Sequence, residues 1–248
     1  YDPTTISGGE YLSPQVTFDS KNNQISYELP KDARVMIRAG ITGGALVKNI
    51  VNGEPRLAGK HEEAWDGSDS AAMDIDNLKG FKIMAEGVTL PENSIIAHGN
   101  PDYGYFEYKH RMVPFRPKKE DRPLFRNEST PIEFRMAGPR EPALEPAFSI
   151  QLTEDIEANG DGLPILRGKI PIRIILDEEL KTIVAEYRYE IISFVDFEFV
   201  TEEEGGYSPF TWMWDTKKVR NGEHILTINV CTLKGGKSSN SIRVVVDN

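Results

Sequence analysis

The chain has 248 residues, a formal net charge of −10 at pH 7, 39% hydrophobic residues and a single cysteine. That acidity excludes non-specific nucleic-acid binding, which needs a basic face to displace phosphate counterions. Cys231 alone excludes an internal disulfide and a multi-cysteine metal site, and no apolar run approaches the roughly 18 residues of a membrane helix.

The first residues, YDPTTISGGEYL, carry no initiator Met, basic n-region or apolar h-region. They read as the start of a mature exported chain whose signal peptide has been removed. Residues 1–23 form an extended N-terminal segment suited to strand addition on a neighbouring sheet edge. From 24 to 100 the runs QISYEL, ARVMIRAGI and FKIMAEGV alternate apolar and polar residues between turn residues, the pattern of strands in a sandwich.

Residues 101–146 are dense in proline and charge, with little alternation. Proline denies ladder hydrogen bonds, so this part is a linker or strap rather than sheet. Its aromatics Tyr103, Tyr105, Phe106 and Tyr108 give it the composition of an interface. Strand patterns resume over 147–248 with IPIRIIL, EYRYEIISFV, HILTINV and IRVVVDN. In the last, Ile242, Val244 and Val246 share one face while Arg243 and Asp247 point the other way. DEELKTIVAEYRYEII has a second half rich in β-branched and aromatic residues and is read as loop, then strand. The fold class expected is all-β: two sandwich domains, 24–100 and 147–248, joined by the strap.

Two stretches carry a resemblance. Leu29-Pro30, the alternating Val35 and Ile37, LVKNIV, AGKHEEAWDG and FKIMAEG follow one another over about residues 24–88. This order resembles the immunoglobulin-like domain of the bacterial flagellar hook-capping protein and related exported modules. Lys79, Gly80 and Phe81 replace the usual Gly-x-Tyr before the last strand. Over about 165–248, Trp214-Asp215-Thr216, Asn221-Gly222, His224 and Val246-Asp247-Asn248 resemble the immunoglobulin-like domains repeated in bacterial surface proteins. The resemblance implies two immunoglobulin-like β-sandwiches. In the surface-protein family such domains mostly serve as spacers, adhesion units or carbohydrate-associated modules.

Within Trp65-Asp66-Gly67 the expected roles are structural: a core indole, an Asx turn and a backbone conformation closed to residues with a Cβ. A cation site made by Asp66, Asp69, Asp74 and Asp76 is the weaker alternative. Glu157, Asn159 and Asp161, at alternate positions before Gly162, imitate the start of a calcium loop, and Asp155 is a further oxygen donor. Gly168 stands where that loop needs its bidentate glutamate, so an Asn-Gly/Asp-Gly turn is preferred. His98 and His110 make a weaker metal pair, because their spacing matches no ligand motif. His61 and His224, each just ahead of a strand, are expected to bond backbone, and Cys231 to be an inert strand thiol beside Thr227 and Asn229.

No nucleophile elbow or phosphate loop is present, and none of the many acid pairs stands out. The expectation is a non-catalytic, bacterial, exported structural protein, extracellular, on the cell surface or periplasmic, without a cofactor. It would assemble with itself or with other proteins, with no nucleic acid and no membrane insertion. The alternatives are an accessory module for polysaccharide or for calcium-dependent adhesion, and a non-catalytic subunit of an exported enzyme complex.

Overall fold

Side chains alternate across a pleated strand, so each half-apolar run has one face to bury. The structure, a computed structural model, describes residues 10–90, 145–152, 156–178, 181, 184, 188–233 and 236–248. The fold is nearly all β and built as packed sheets. In the first sheet pair, β1 (Tyr11–Leu12), β4 (Ala33–Ile41), β5 (Leu46–Arg56) and β7 (Phe81–Thr89) form a sheet in the order β1-β7-β4-β5. Its partner sheet is β2 (Thr17–Asp19), β3 (Gln24–Leu29) and β6 (Gly59–Ala64), in the order β2-β3-β6. Ile25, Tyr27 and Leu29 of β3 share one core with Val35 and Ile37 of β4, Val47 of β5 and Ala85 of β7. Trp65 fills that core between the Phe18 and Phe81 rings.

Residues 10–23, read from sequence as part of an extended N-terminal segment, supply β1 and β2. Pro14 accounts for the break between them. It has no N–H for the ladder, so β1 ends at Leu12 and the chain crosses to the facing sheet. Strands of two and three residues are too short to show alternation.

The second sheet pair holds β8 (Phe148–Gln151), β10 (Lys169–Leu176) and β13 (Phe210–Asp215), in the order β13-β10-β8. Facing them are β9 (Ile165–Leu166), β11 (Tyr189–Val195), β12 (Glu198–Glu203), β14 (Gly222–Thr232) and β15 (Lys237–Val246), in the order β12-β11-β14-β15-β9. Ile172 and Ile174 of β10 pack with Ile191, Ile228 and Val244 in the shared core. Ahead of β11, Glu178, Lys181 and Val184 lie in a helical turn where the sequence reading expected loop. The Lys181 N–H donates to the Asp177 carbonyl at 2.9 Å, and Val184 is fully buried. A bond from an N–H to the carbonyl four residues back is the α-helical pattern, and burial of Val184 in that turn outweighs its β-branching. Most of the proline-rich stretch, 101–144, lies outside the described residues.

Candidate interaction surfaces

β14 is buried on both faces. Leu226, Ile228 and Val230 enter the second core, while Thr227 and Asn229 look the other way and are buried as well. The first sheet pair covers that other face. The Leu46 N–H of β5 donates to Asn229 Oδ1 at 2.9 Å, and Asn229 Nδ2 donates to the Leu46 carbonyl at 2.8 Å. Nearby, Arg38 Nε donates to Asn49 Oδ1 at 3.1 Å, and Asn49 Nδ2 donates to the Lys237 carbonyl. The Ser241 N–H donates to Ser70 Oγ at 2.7 Å.

An apolar plug completes the junction. Asp196 and Phe197, between β11 and β12, both have positive φ, at 51° and 66°. A type I′ hairpin turn needs that geometry, but an aromatic residue adopts it only under constraint. The constraint is visible: the Phe197 ring is buried in the first core with Phe194. Its carbonyl accepts the Ala45 N–H at 3.3 Å. Asp196 holds the turn from below, accepting the Ile225 N–H at 3.1 Å and facing His224 Nδ1 at 2.7 Å.

Both motif histidines bond backbone four residues earlier, as expected, although they lie within β6 and β14 rather than ahead of a strand. His61 Nε2 lies 2.6 Å from the Leu57 carbonyl, and His224 Nε2 lies 2.8 Å from the Arg220 carbonyl. Trp65 is buried, Asp66 Oδ1 accepts the Ser68 N–H at 3.0 Å, and Gly67 has φ +81°. Asp69 Oδ1 accepts the Ala71 and Met73 N–H groups, so it also builds a turn. Asn159 Oδ1 accepts the Asp161 and Leu163 N–H groups at 3.0 and 2.9 Å. Glu157 pairs with Arg167 at 3.1 Å, and Arg167 pairs in turn with Asp247 at 2.7 Å. Glu157 and Asn159 thus serve an ion pair and a turn, and Asp161 contributes its backbone N–H to that turn.

No group of three His, Cys, Asp or Glu able to hold a metal occurs among the described residues. Asp155, His98, His110, Tyr103, Tyr105, Phe106 and Tyr108 lie outside them. Cys231 sits on the Thr227 and Asn229 side of β14, and burial raises its thiol pKa, unlike a reactive thiolate.

Among the described residues, sheet edges and a groove are open to a partner. β12 ends its sheet but is blunted. A register shift leaves Val200 without a partner on β11, and Glu198, Glu202 and Glu203 charge the strand. β7 differs. Its register with β4 runs without a shift over nine pairs, and β1 covers only Gly87 and Val88 on its other side. Among the described residues the Phe81–Glu86 part of β7 has no strand on that side. Lys82, Met84 and Glu86 are exposed there, Met84 by 49%. β13 is also an edge without a register shift, carrying exposed Met213. On the β2-β3-β6 sheet, a shallow polar groove of about 520 Å³ is lined by Gln15, Thr17, Ser26, Glu28, Lys60 and Glu62, among others.

No family model matches this chain, and no curated protein matches it. Among solved structures it is similar to an endo-β-1,4-mannanase from Thermotoga petrophila, with 14% identity and a TM-score of 0.29. That likeness covers 41% of this chain and 20% of the mannanase chain. It is also similar to the fibronectin(III)-like modules of Clostridium thermocellum CbhA, with 9% identity and a TM-score of 0.27 over 94% of each chain. At these scores neither likeness carries an argument about function or fold.

Proposed function

We propose that this chain is a non-catalytic, exported bacterial structural protein of two immunoglobulin-like sandwiches joined by a proline-rich strap. It works by assembling through those sandwiches, with copies of itself or with other extracellular proteins. The observation that supports this reading most directly is the edge of β7, which has no strand beside Phe81–Glu86 among the described residues. Exposed edges without bulges are templates for pairing, and proteins that do not use them blunt them, as this chain does at β12. The Asn229–Leu46 clasp and the Phe197 plug add support, since a stiff unit transmits the geometry of whatever it joins.

Sedimentation velocity over a concentration series tests the reading. A mass rising above the 27.9 kDa monomer with concentration is expected. A monomer up to millimolar concentration, with no protein partner recovered, overturns it. The chain is then read as an accessory module, which the polar groove beside β2 favours, with a polysaccharide as the ligand to titrate.

A further inference from the structure

We infer that the partner of the β7 edge is the β7 edge of a second copy of this chain, paired antiparallel about a two-fold axis through Met84. The inference rests on the assembly reading above and names its partner and register.

Backbone direction limits the possible registers. The Thr89 N–H donates to the Glu10 carbonyl, so Thr89 points its backbone groups away from β4, toward β1. Residues alternate along a strand, so Ile83 and Ala85 point theirs toward the open edge, while Lys82, Met84 and Glu86 point to β4. An antiparallel pair opposes residues of like direction, which limits a β7–β7 pair to centres on single residues. A centre at Lys82 sets lysine against lysine. A centre at Ala85 runs into Gly87, already paired with Leu12. A centre at Ile83 sets Lys82 against Met84 and leaves its charge unmatched. A centre at Met84 leaves Lys82–Glu86 free to pair and matches every position.

In that register Ile83 of each chain exchanges both backbone hydrogen bonds with Ala85 of the other. The two Met84 side chains meet at the axis as a non-hydrogen-bonded pair, the closer of the two pair types. Lys82 of each copy stands across from Glu86 of the other, on the same exposed face as Met84. An edge that carries Lys-x-Met-x-Glu is its own complement under a two-fold, as an isologous interface requires. Not every edge without a shift has this property: at β13 a two-fold at Met213 sets Asp215 against Thr211. The four-stranded sheet would continue as an eight-stranded one. Five residues per chain make a small contact, so the association is weak and concentration-dependent.

The test uses the full chain. In a Cys231→Ser background, Met84→Cys is oxidised at a concentration where self-association is measured. The non-hydrogen-bonded position brings the two Cα atoms within disulfide range, so a covalent dimer is expected from Met84→Cys and not from Lys82→Cys. In parallel, Lys82→Glu places like charges opposite each other at both symmetric positions and should weaken association about tenfold. The double change Lys82→Glu/Glu86→Lys restores the match and should recover it. Association that persists while Met84→Cys gives no dimer and Lys82→Glu has no effect overturns this register and leaves the assembly reading standing. A chain that stays monomeric throughout overturns self-assembly itself.

Discussion

Asn229 clasps the main chain of Leu46 from 183 residues away, bonding both its N–H and its carbonyl. A carboxamide has the same donor–acceptor pair as a peptide group, so the side chain acts as one rung of a ladder between β5 and β14, strands of two different sheets. Asn229→Ala leaves both Leu46 groups without a partner in a half-buried junction. We expect a loss of about 1–3 kcal/mol in denaturant unfolding. Asn229→Asp keeps the acceptor but sets a carboxylate against the Leu46 carbonyl, and should cost at least as much. A junction of no consequence would leave the unfolding midpoint of both variants unchanged.

Gly44 is required by the same junction. A Cβ built there would lie 2.4 Å from the Phe197 carbonyl oxygen, closer than any side-chain carbon is found to backbone. Gly44→Ala must therefore push the Phe197 turn out of the first core or bend the β4–β5 connection. The expected cost is about 1–3 kcal/mol, in the range of overpacked cores. Fluorescence of Trp65, in the core that Phe197 plugs, should shift with it. Unchanged stability and emission would show that the contact yields freely.

How far the fold was legible depended on distance along the chain. β3 and β4 match QISYEL and ARVMIRAGI residue for residue, because alternation is local and each face has one clear owner. The Trp65-Asp66-Gly67 roles were readable for the same reason: an Asx turn and a positive φ are settled within three residues. Thr227 and Asn229 were not. On one strand they look like the solvent face of a half-buried sheet, and only the arrival of β5 from far away buries them. Phe197 misleads in the same way, since nothing local announces that a hairpin-turn aromatic will enter the other core. The β7 edge was hidden too, because an edge is defined by what fails to pair with it.

Alkaline pH should loosen the structure through two tyrosines. Burial and then the Glu63 carboxylate raise the pKa of Tyr27 well above its ordinary value of 10.0, and its hydroxyl donates to Glu63 at 2.9 Å. Burial pushes Tyr189 up to about 12. Both groups stay protonated in the folded chain while the unfolded chain ionises. Stability from them is complete below pH 10 and falls as pH rises toward the folded values, because the unfolded state then holds fewer protons. Tyr27→Phe should flatten that fall while lowering stability at neutral pH by about 1 kcal/mol for the lost hydrogen bond. An unchanged slope above pH 10 would refute the assignment to Tyr27.

The turn at Asn159 separates backbone chemistry from metal binding. Its Oδ1 accepts two main-chain amides, which a calcium ion would have to displace. Asn159→Ala should cost about 1 kcal/mol, and by the same amount with or without millimolar calcium. A loss seen only in the presence of calcium would instead mean that the carboxamide is a ligand, since a bound ion stabilises in proportion to its occupancy.

Thr216 ties the end of the last strand to the rest of the sandwich. Its hydroxyl lies 2.9 Å from the Gly168 carbonyl and 2.8 Å from Asn248 Oδ1. Asn248 returns a bond from Nδ2 to the Thr216 carbonyl at 3.0 Å and donates its N–H to Asn221 Oδ1 at 3.0 Å. The Trp214-Asp215-Thr216 and Val246-Asp247-Asn248 motifs are thus two halves of one clamp. Thr216→Val keeps the shape and removes a hydroxyl whose single proton serves one of the two oxygens, at a fully buried position; the Gly168 carbonyl keeps the Thr216 N–H at 2.8 Å and Asn248 Oδ1 keeps the Gly168 N–H at 2.9 Å. We expect a loss of about 0.5–1.5 kcal/mol, one net hydrogen bond. The Gly168 and Asn248 amides should exchange faster with solvent, while those in the middle of β14 keep their protection. Protection lost evenly across β14 and β15 would instead point to global destabilisation, and the local clamp would then be the wrong account of this motif.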